Sequence, residues 1–255
     1  MLVRLQSFLQ RFPFSTLLPC GCALCGGRNR AVVCADCQRD YLPSTPKRCA
    51  QCALPLAESA PACGVCLQQP PAYDATIAVA NYGAPIDQLV LGLKFGAQLG
   101  LAPWMAARLV DVLIHANSNQ QSTQLQEQLP DLLCPVPLGE RRLSERGYNQ
   151  ALEIARPLSH QLGVALEARL CIRQRETDAQ ALLPFDQRAK NMRQAFSLAP
   201  EAFGKIQGLH IGVVDDVMTT GRTLDEMART LKHFGAARVT NFVFARTVRA
   251  VTTNT

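Results

Sequence analysis

Apolar residues recur along this chain with two different periods, and the switches between them outline its elements. Short apolar runs at 74–80, 131–135, 168–173, 209–215 and 238–246 have the length and bounding turn residues of buried strands. Between them lie stretches of helical spacing. Residues 85–113 read as helical material broken at Gly92, Gly96, Gly100 and Pro103, and 148–162 as a helix interrupted by Pro157. The clearest helix is 223–234. Leu224, Met227, Ala228, Leu231 and Phe234 share one face, Asp225 and Glu226 sit in the first turn, Lys232 and His233 in the last, and Gly235 follows. Strands alternating with helices predict βα units and an α/β fold with a mainly parallel sheet flanked by helices.

Two regions depart from this texture. Residues 1–14 place Leu2, Leu5, Phe8, Leu9 and Phe12 at helical spacing with Arg4 and Arg11 among them, which predicts an amphipathic docking helix and not the apolar core of a secretory signal. Residues 20–66 have few aliphatic runs and many turn residues, so they need a staple to fold. The expected organisation is an amphipathic helix at 1–19, a cysteine-rich module at 20–69 and an α/β domain at 70–255, with the boundary at Pro70–Pro71. The polar stretch 116–128 reads as an exposed connection.

The staple is legible. Nine of the 11 cysteines fall within 20–66, and eight form four Cys-x-x-Cys knuckles: Cys22 and Cys25, Cys34 and Cys37, Cys49 and Cys52, Cys63 and Cys66. Two knuckles complete the tetrahedral thiolate set that structural Zn²⁺ prefers, so the segment predicts two zinc ions in a double zinc ribbon. The simplest pairing joins the first knuckle with the second and the third with the fourth; a cross-braced pairing, a single zinc and a disulfide framework are the alternatives. A reducing compartment argues against disulfides. Cys20 reads as a spare thiol, and Cys134 and Cys171 as inert core residues.

Candidate chemistry gathers at residues 211–223. A buried strand delivers Asp215 and Asp216 to its carboxyl end, and a Thr-Thr-Gly-x-Thr turn then opens a helix, the place where open α/β sheets bind ligands. Thr219, Thr220 and Thr223 offer hydroxyls, Gly221 admits close backbone approach, and the helix start at Arg222 offers unpaired N–H groups to a phosphate. The acids cannot hold that phosphate, so they should meet hydroxyls or a metal on the same ligand, and a ribose phosphate has that shape. The plainer reading is a solvated acidic turn with a capping threonine. A second segment presents Arg141, Arg142 and Arg146 just after Pro135-Val136-Pro137, where guanidinium forks suit pyrophosphate; a solvated basic turn is the alternative. Between two strands, Arg175, Gln180, Arg188, Lys190, Asn191 and Arg193 read as a loop able to close over an anion.

The 211–223 segment resembles the PRPP-binding signature of type I phosphoribosyltransferases, which implies ribose contacts for Asp215 and Asp216 and 5′-phosphate contacts for 219–223. Adding Pro135-Val136-Pro137-Leu138, the Arg-Gly-Tyr-Asn-Gln run at 146–150, Leu93-Lys94-Phe95 and the cysteine knuckles, the chain from about 20 to 246 resembles the ComF/GntX family of competence-associated proteins. That resemblance implies a role in natural transformation or in using external DNA. With it comes the expectation of PRPP bound with Mg²⁺, Asp215, Asp216 and Arg142 at the reacting centre, and pyrophosphate displaced from ribose C1.

Two rivals stand beside the enzyme. One is a transferase fold without turnover, acting as an adaptor for single-stranded DNA or for competence and DNA-processing proteins, with Arg28, Arg30, Arg39, Lys47 and Arg48 along the backbone. The other is a nucleobase salvage transferase. The formal charge of +6 does not favour DNA by itself, because eight thiolates on two zinc ions bring it to about +2. No run approaches the ~20 apolar residues of a membrane span, and the expected location is the cytoplasm.

Overall fold

The computed structural model describes residues 20–42, 47–56, 60, 62–116, 129–174 and 195–248. The docking helix expected at 1–19, the polar connection at 117–128 and the loop at 175–194 lie outside the described residues. The chain forms two compact units, Met1–Ser44 and Thr45–Thr255. The unit boundary thus precedes the third cysteine knuckle, and the second four-cysteine set belongs to the larger unit.

In the smaller unit, β1 (Cys20–Gly21) pairs antiparallel with β2 (Arg28–Asn29), and α1 spans Ala35–Tyr41. The larger unit begins with the third knuckle and continues through α2 (Gly64–Gln68), β3 (Ala75–Tyr82), α3 (Ile86–Phe95) and α4 (Leu101–Ala116). Next come β4 (Leu132–Pro135), α5 (Glu140–Arg146), α6 (Gln150–Leu162), β5 (Ala165–Leu166) and β6 (Cys171–Arg173). The chain then passes through β7 (Phe196–Leu198), β8 (His210–Met218), α7 (Arg222–His233) and β9 (Arg238–Thr247).

The five-stranded sheet has the order β3-β9-β8-β4-β5, and every pairing in it is parallel. The α/β expectation is therefore met. β8 and β9 lie inside the sheet and are almost wholly buried, as strands covered on both faces must be. Phe242 and Phe244 are at most 1% exposed, and Trp104 of α4 meets Phe244 with ring centroids 5.7 Å apart. On α7, Leu224, Met227, Ala228 and Leu231 are buried, the face that the spacing predicted.

Three expected helix breaks are absent for local reasons. Gly92 lies inside α3, because a Cβ there would sit 2.7 Å from the Gln98 side-chain oxygen and 3.3 Å from Leu101. Its missing side chain admits the start of α4. Pro157 lies inside α6 without ending it. The buried face of Ala151, Ile154, Ala155 and Leu158 and the Asn149 cap, which accepts from the Ala151 amide at 3.0 Å, hold that helix. Pro103 occupies the first turn of α4, where a missing N–H is harmless.

Candidate functional site

The cysteines resolve into the sequential pairing. Cys22, Cys25, Cys34 and Cys37 form one set and Cys49, Cys52, Cys63 and Cys66 the other, with the four sulfurs of each within 4.8 Å of one another. A tetrahedral Cys₄ zinc needs sulfurs about 3.8 Å apart, and the Cys25–Cys34 pair lies at 3.9 Å and Cys52–Cys63 at 3.4 Å. Both sets fit a metal ion. Burial alone would raise the Cys22 thiol, but backbone N–H groups of Cys25, Cys34 and Leu24 bring it down to about 6. The same balance brings Cys49 to about 7. Burial, with help from the Cys63 sulfur and the charge of Cys49 and against the Leu54 amide, pushes Cys52 up to about 11. Cys134 and Cys171 are buried core residues, as expected.

Asp215 and Asp216 reach the carboxyl end of β8 and, being adjacent in a strand, face opposite sides. Asp216 is 2% exposed and takes two partners from other elements: Lys94 Nζ at 2.6 Å and the Gln150 side-chain amide, which donates at 3.3 Å. Asp215 is half-buried and accepts the Asp216 amide at 2.9 Å. Burial, and then the charge of Asp216, push its carboxyl well above the usual carboxylate range.

Directly behind the acids the chain exposes Thr219 and Thr220, turns at Gly221 with φ of 81°, and enters α7 with no side-chain cap. A left-handed residue is strained with any side chain, and here a Cβ would also sit 2.7 Å from Met218 and 3.1 Å from the Tyr73 hydroxyl. Thr219, Thr220, Gly221 and Arg222 line a cavity of about 620 Å³ whose other wall includes Cys52, Cys66 and Tyr73. Thr223 is half-buried in the first turn of α7.

The basic segment, just after β4, forms a short helix, α5, and not the solvated turn that was the alternative reading. Arg142 and Arg146 line a second cavity of about 610 Å³ together with Lys94, Phe95, Tyr148 and Gln150. Arg146 stacks over Phe95 at 5.1 Å from the ring centre and donates to Gln150. Tyr148 donates its hydroxyl to the Leu93 carbonyl. Arg141 is exposed and pairs with Glu145 at 3.0 Å, one turn on. The arginines thus gather round the partners of Asp216, while the threonine loop faces a separate cavity.

Four residues of this region carry roles that sequence reasoning did not assign. Lys94 and Gln150 stood within quoted motifs, yet only the fold brings them to Asp216, 122 and 66 positions away along the chain. Tyr73 and Arg246 carried no signal, since a tyrosine before one strand and an arginine at the end of another are ordinary.

Comparison with known proteins agrees with this layout. The phosphoribosyl transferase domain model matches residues 148–250, which include the acids and the threonine loop. DNA utilization protein YhgH of Salmonella typhimurium is 38% identical over 216 residues, covering 85% of this chain and 91% of its own. Competence protein F of Haemophilus influenzae is 32% identical over 214 residues, covering 84% and 90%. Competence protein ComFC of Bacillus subtilis is 32% identical over 145 residues, about half of each chain. Among solved structures, a purine phosphoribosyltransferase from Pyrococcus horikoshii shares 20% identity over 57% of this chain and 84% of its own, with a TM-score of 0.30, an overlap too loose to carry an argument.

Proposed function

The chain belongs to the competence protein F (ComF/GntX) family, and on that premise we propose that it binds PRPP with Mg²⁺ in the cytoplasm and acts where incoming DNA is put to use. The observation that carries this reading is the uncapped start of α7. Gly221 in the left-handed region turns the chain into α7 without a side-chain cap from the preceding residue, so a 5′-phosphate can approach the helix start, where the Arg222 amide donates to the Thr220 hydroxyl at 3.4 Å and Thr219, Thr220 and Thr223 offer hydroxyls. Asp215 then takes the ribose hydroxyls. Asp216, held between Lys94 and Gln150, links the ribose to the cationic cavity of Arg142 and Arg146, which receives the pyrophosphate; Arg141 precedes Arg142 on α5, and Arg222 lines the threonine-loop cavity on the phosphate side.

Transfer by this site breaks the bond between ribose C1 and the pyrophosphate oxygen. The electron pair leaves with pyrophosphate, and an acceptor forms the new bond at C1. Mg²⁺ neutralises leaving-group charge when bound, and carboxylate oxygens are the donors it prefers. The chain's own contribution is electrostatic, through guanidiniums and the Lys94 ammonium held in place before the ligand arrives. The two cysteine sets hold zinc as structural ions. The name DNA utilization protein, borne by relatives, suggests DNA as a partner, and the partners proposed here are single-stranded DNA and DNA-processing proteins.

Calorimetric titration of PRPP with Mg²⁺ into wild type and Asp215→Asn protein tests the reading. Asp215 is the better target because Asp216→Asn would also strand Lys94. Saturable binding that weakens at least ten-fold in the variant is expected; no binding to wild type would overturn the PRPP site and leave the adaptor reading.

A further inference from the structure

Arg246, the penultimate residue of β9, turns its side chain inward, and the whole residue is 5% exposed. A guanidinium never sheds its charge and has five donors and no acceptor, so burial requires acceptors around it. It finds them on main-chain carbonyls. Nε donates to Cys52 at 2.8 Å, and Nη1 donates to Met218 at 3.1 Å, to Thr219 and to Thr247 at 2.8 Å. Met218 and Thr219 are where β8 becomes the threonine loop. Cys52 is a member of the second four-cysteine set. One side chain therefore joins the backbone of a metal-binding knuckle to the backbone that sets up the loop.

Two further contacts tie the same parts together. Arg48, beside the third knuckle, donates to the Ala53 carbonyl at 2.9 Å, so a second guanidinium reads the turn that presents Cys52. Tyr73 stands 3.1 Å from where a Cβ of Gly221 would be and shares the loop cavity with Cys52 and Cys66. Four thiolates around a divalent ion carry a net charge of about −2, which would offset the guanidiniums of Arg48 and Arg246. With the metal gone, the knuckle loses both its shape and that charge.

We propose that Arg246 is the positioning residue of the 218–223 loop, and that through it the setting of the loop depends on metal held by Cys49, Cys52, Cys63 and Cys66. The loop is then fixed from behind, by a group that touches no ligand. The use of this loop for a phosphate rests on the function proposed above; its dependence on Arg246 and the metal does not.

Amide hydrogen exchange of the full-length zinc-loaded protein tests this, read on peptides covering 218–223 and, as a folding control, on β8 and β9. In wild type, chelation of the metal should speed exchange of the loop amides at least ten-fold while the central strands, though less protected than with metal, remain folded. Arg246→Met should do the same with metal present, and chelation should then add little. Should Arg246→Met fail to fold, Arg246→Lys serves, since it keeps the charge but cannot span the same carbonyls. It should give a partial effect. Unchanged loop exchange in a folded Arg246 variant, or an equal response to chelation with and without Arg246, would overturn the proposal. A loop that loosens as expected while PRPP binding to wild type is absent would uphold the coupling and sink the phosphate reading instead.

Discussion

The two four-cysteine sets have the same motif and pair their knuckles in the same order, yet they are embedded differently. In the first, the groups that hold the sulfurs are local: the amides of Leu24, Cys34 and Cys37 point at Cys22 and Cys34, and Cys25 is exposed. In the second, Cys49, Cys52 and Cys66 are at most 5% exposed and belong to the same buried cluster as β8 and α7 residues. Their backbone is gripped from far along the chain, Cys52 by Arg246 and Ala50 by the Thr76 amide at 2.9 Å. A metal set in the first position folds its own short segment; in the second it is part of the wall of a domain. The motif states that a metal can be held, and the surroundings decide what would depend on it.

The largest effect follows from removing the metal in each place. Cys49→Ser/Cys52→Ser should lower zinc by about one ion per chain and cost at least about 4 kcal/mol in the larger unit, the scale reached when a structural metal is lost. Cys22→Ser/Cys25→Ser should lower zinc equally while leaving amide protection of β3, β8 and β9 unchanged. Elemental analysis and exchange on both variants check this. Equal loss of strand protection in the two would erase the distinction, and near-zero zinc in unmodified protein would remove its basis.

The same contrast marks how far the sequence could be read. The four knuckles, the alternation of strands with helices and the Asp215–Thr223 segment are local patterns, so period and spacing revealed them. Four of the five sheet strands, α7 and the sequential cysteine pairing stand where those patterns indicated, whereas the run at 168–173 leaves the sheet and pairs antiparallel with β7, its place at the edge taken by β5. What escaped depends on long-range contact. Gly92 reads as a break until Gln98 and Leu101 are seen to occupy its space, and Pro157 as an interruption until the buried face of α6 is counted. Lys94 meets Asp216 from a different helix, and Arg246 reaches Cys52 across 194 positions. Short helices such as α5 escape for another reason: seven largely polar residues, none of them buried, leave no apolar stripe to read.

A smaller effect sharpens the comparison on the side of the second set. Gly221→Ala places a methyl in the left-handed region and against Met218 and Tyr73, the residue that also faces Cys52 and Cys66 across the cavity. The conformational cost is about 1–2 kcal/mol, and the displaced turn should weaken PRPP binding by more than this loss of stability explains. Urea unfolding and calorimetry on the same samples separate the two. Unchanged stability and binding would mean that the turn adapts freely and that the wall behind it is slack.

The smallest effect belongs to the surface of the first set. Arg39 pairs with Asp36 at 2.6 Å and lies near Asp40 at 3.5 Å, on the helix that begins between Cys34 and Cys37, but both partners are well over half exposed. Water screens such pairs and their ordering entropy cancels most of the attraction. Arg39→Ala should therefore leave zinc content and the thermal midpoint where they are. The second set's counterpart is Arg48, which is largely buried, so that burial and the charge of Arg246 lower its pKa. There, Arg48→Ala should accelerate zinc loss to a competing chelator, because it frees the Ala53 carbonyl and loosens the turn that presents Cys52. If the two substitutions proved equally silent, burial would not be what separates the sets, and the grip on the second knuckle would have to come from Arg246 alone.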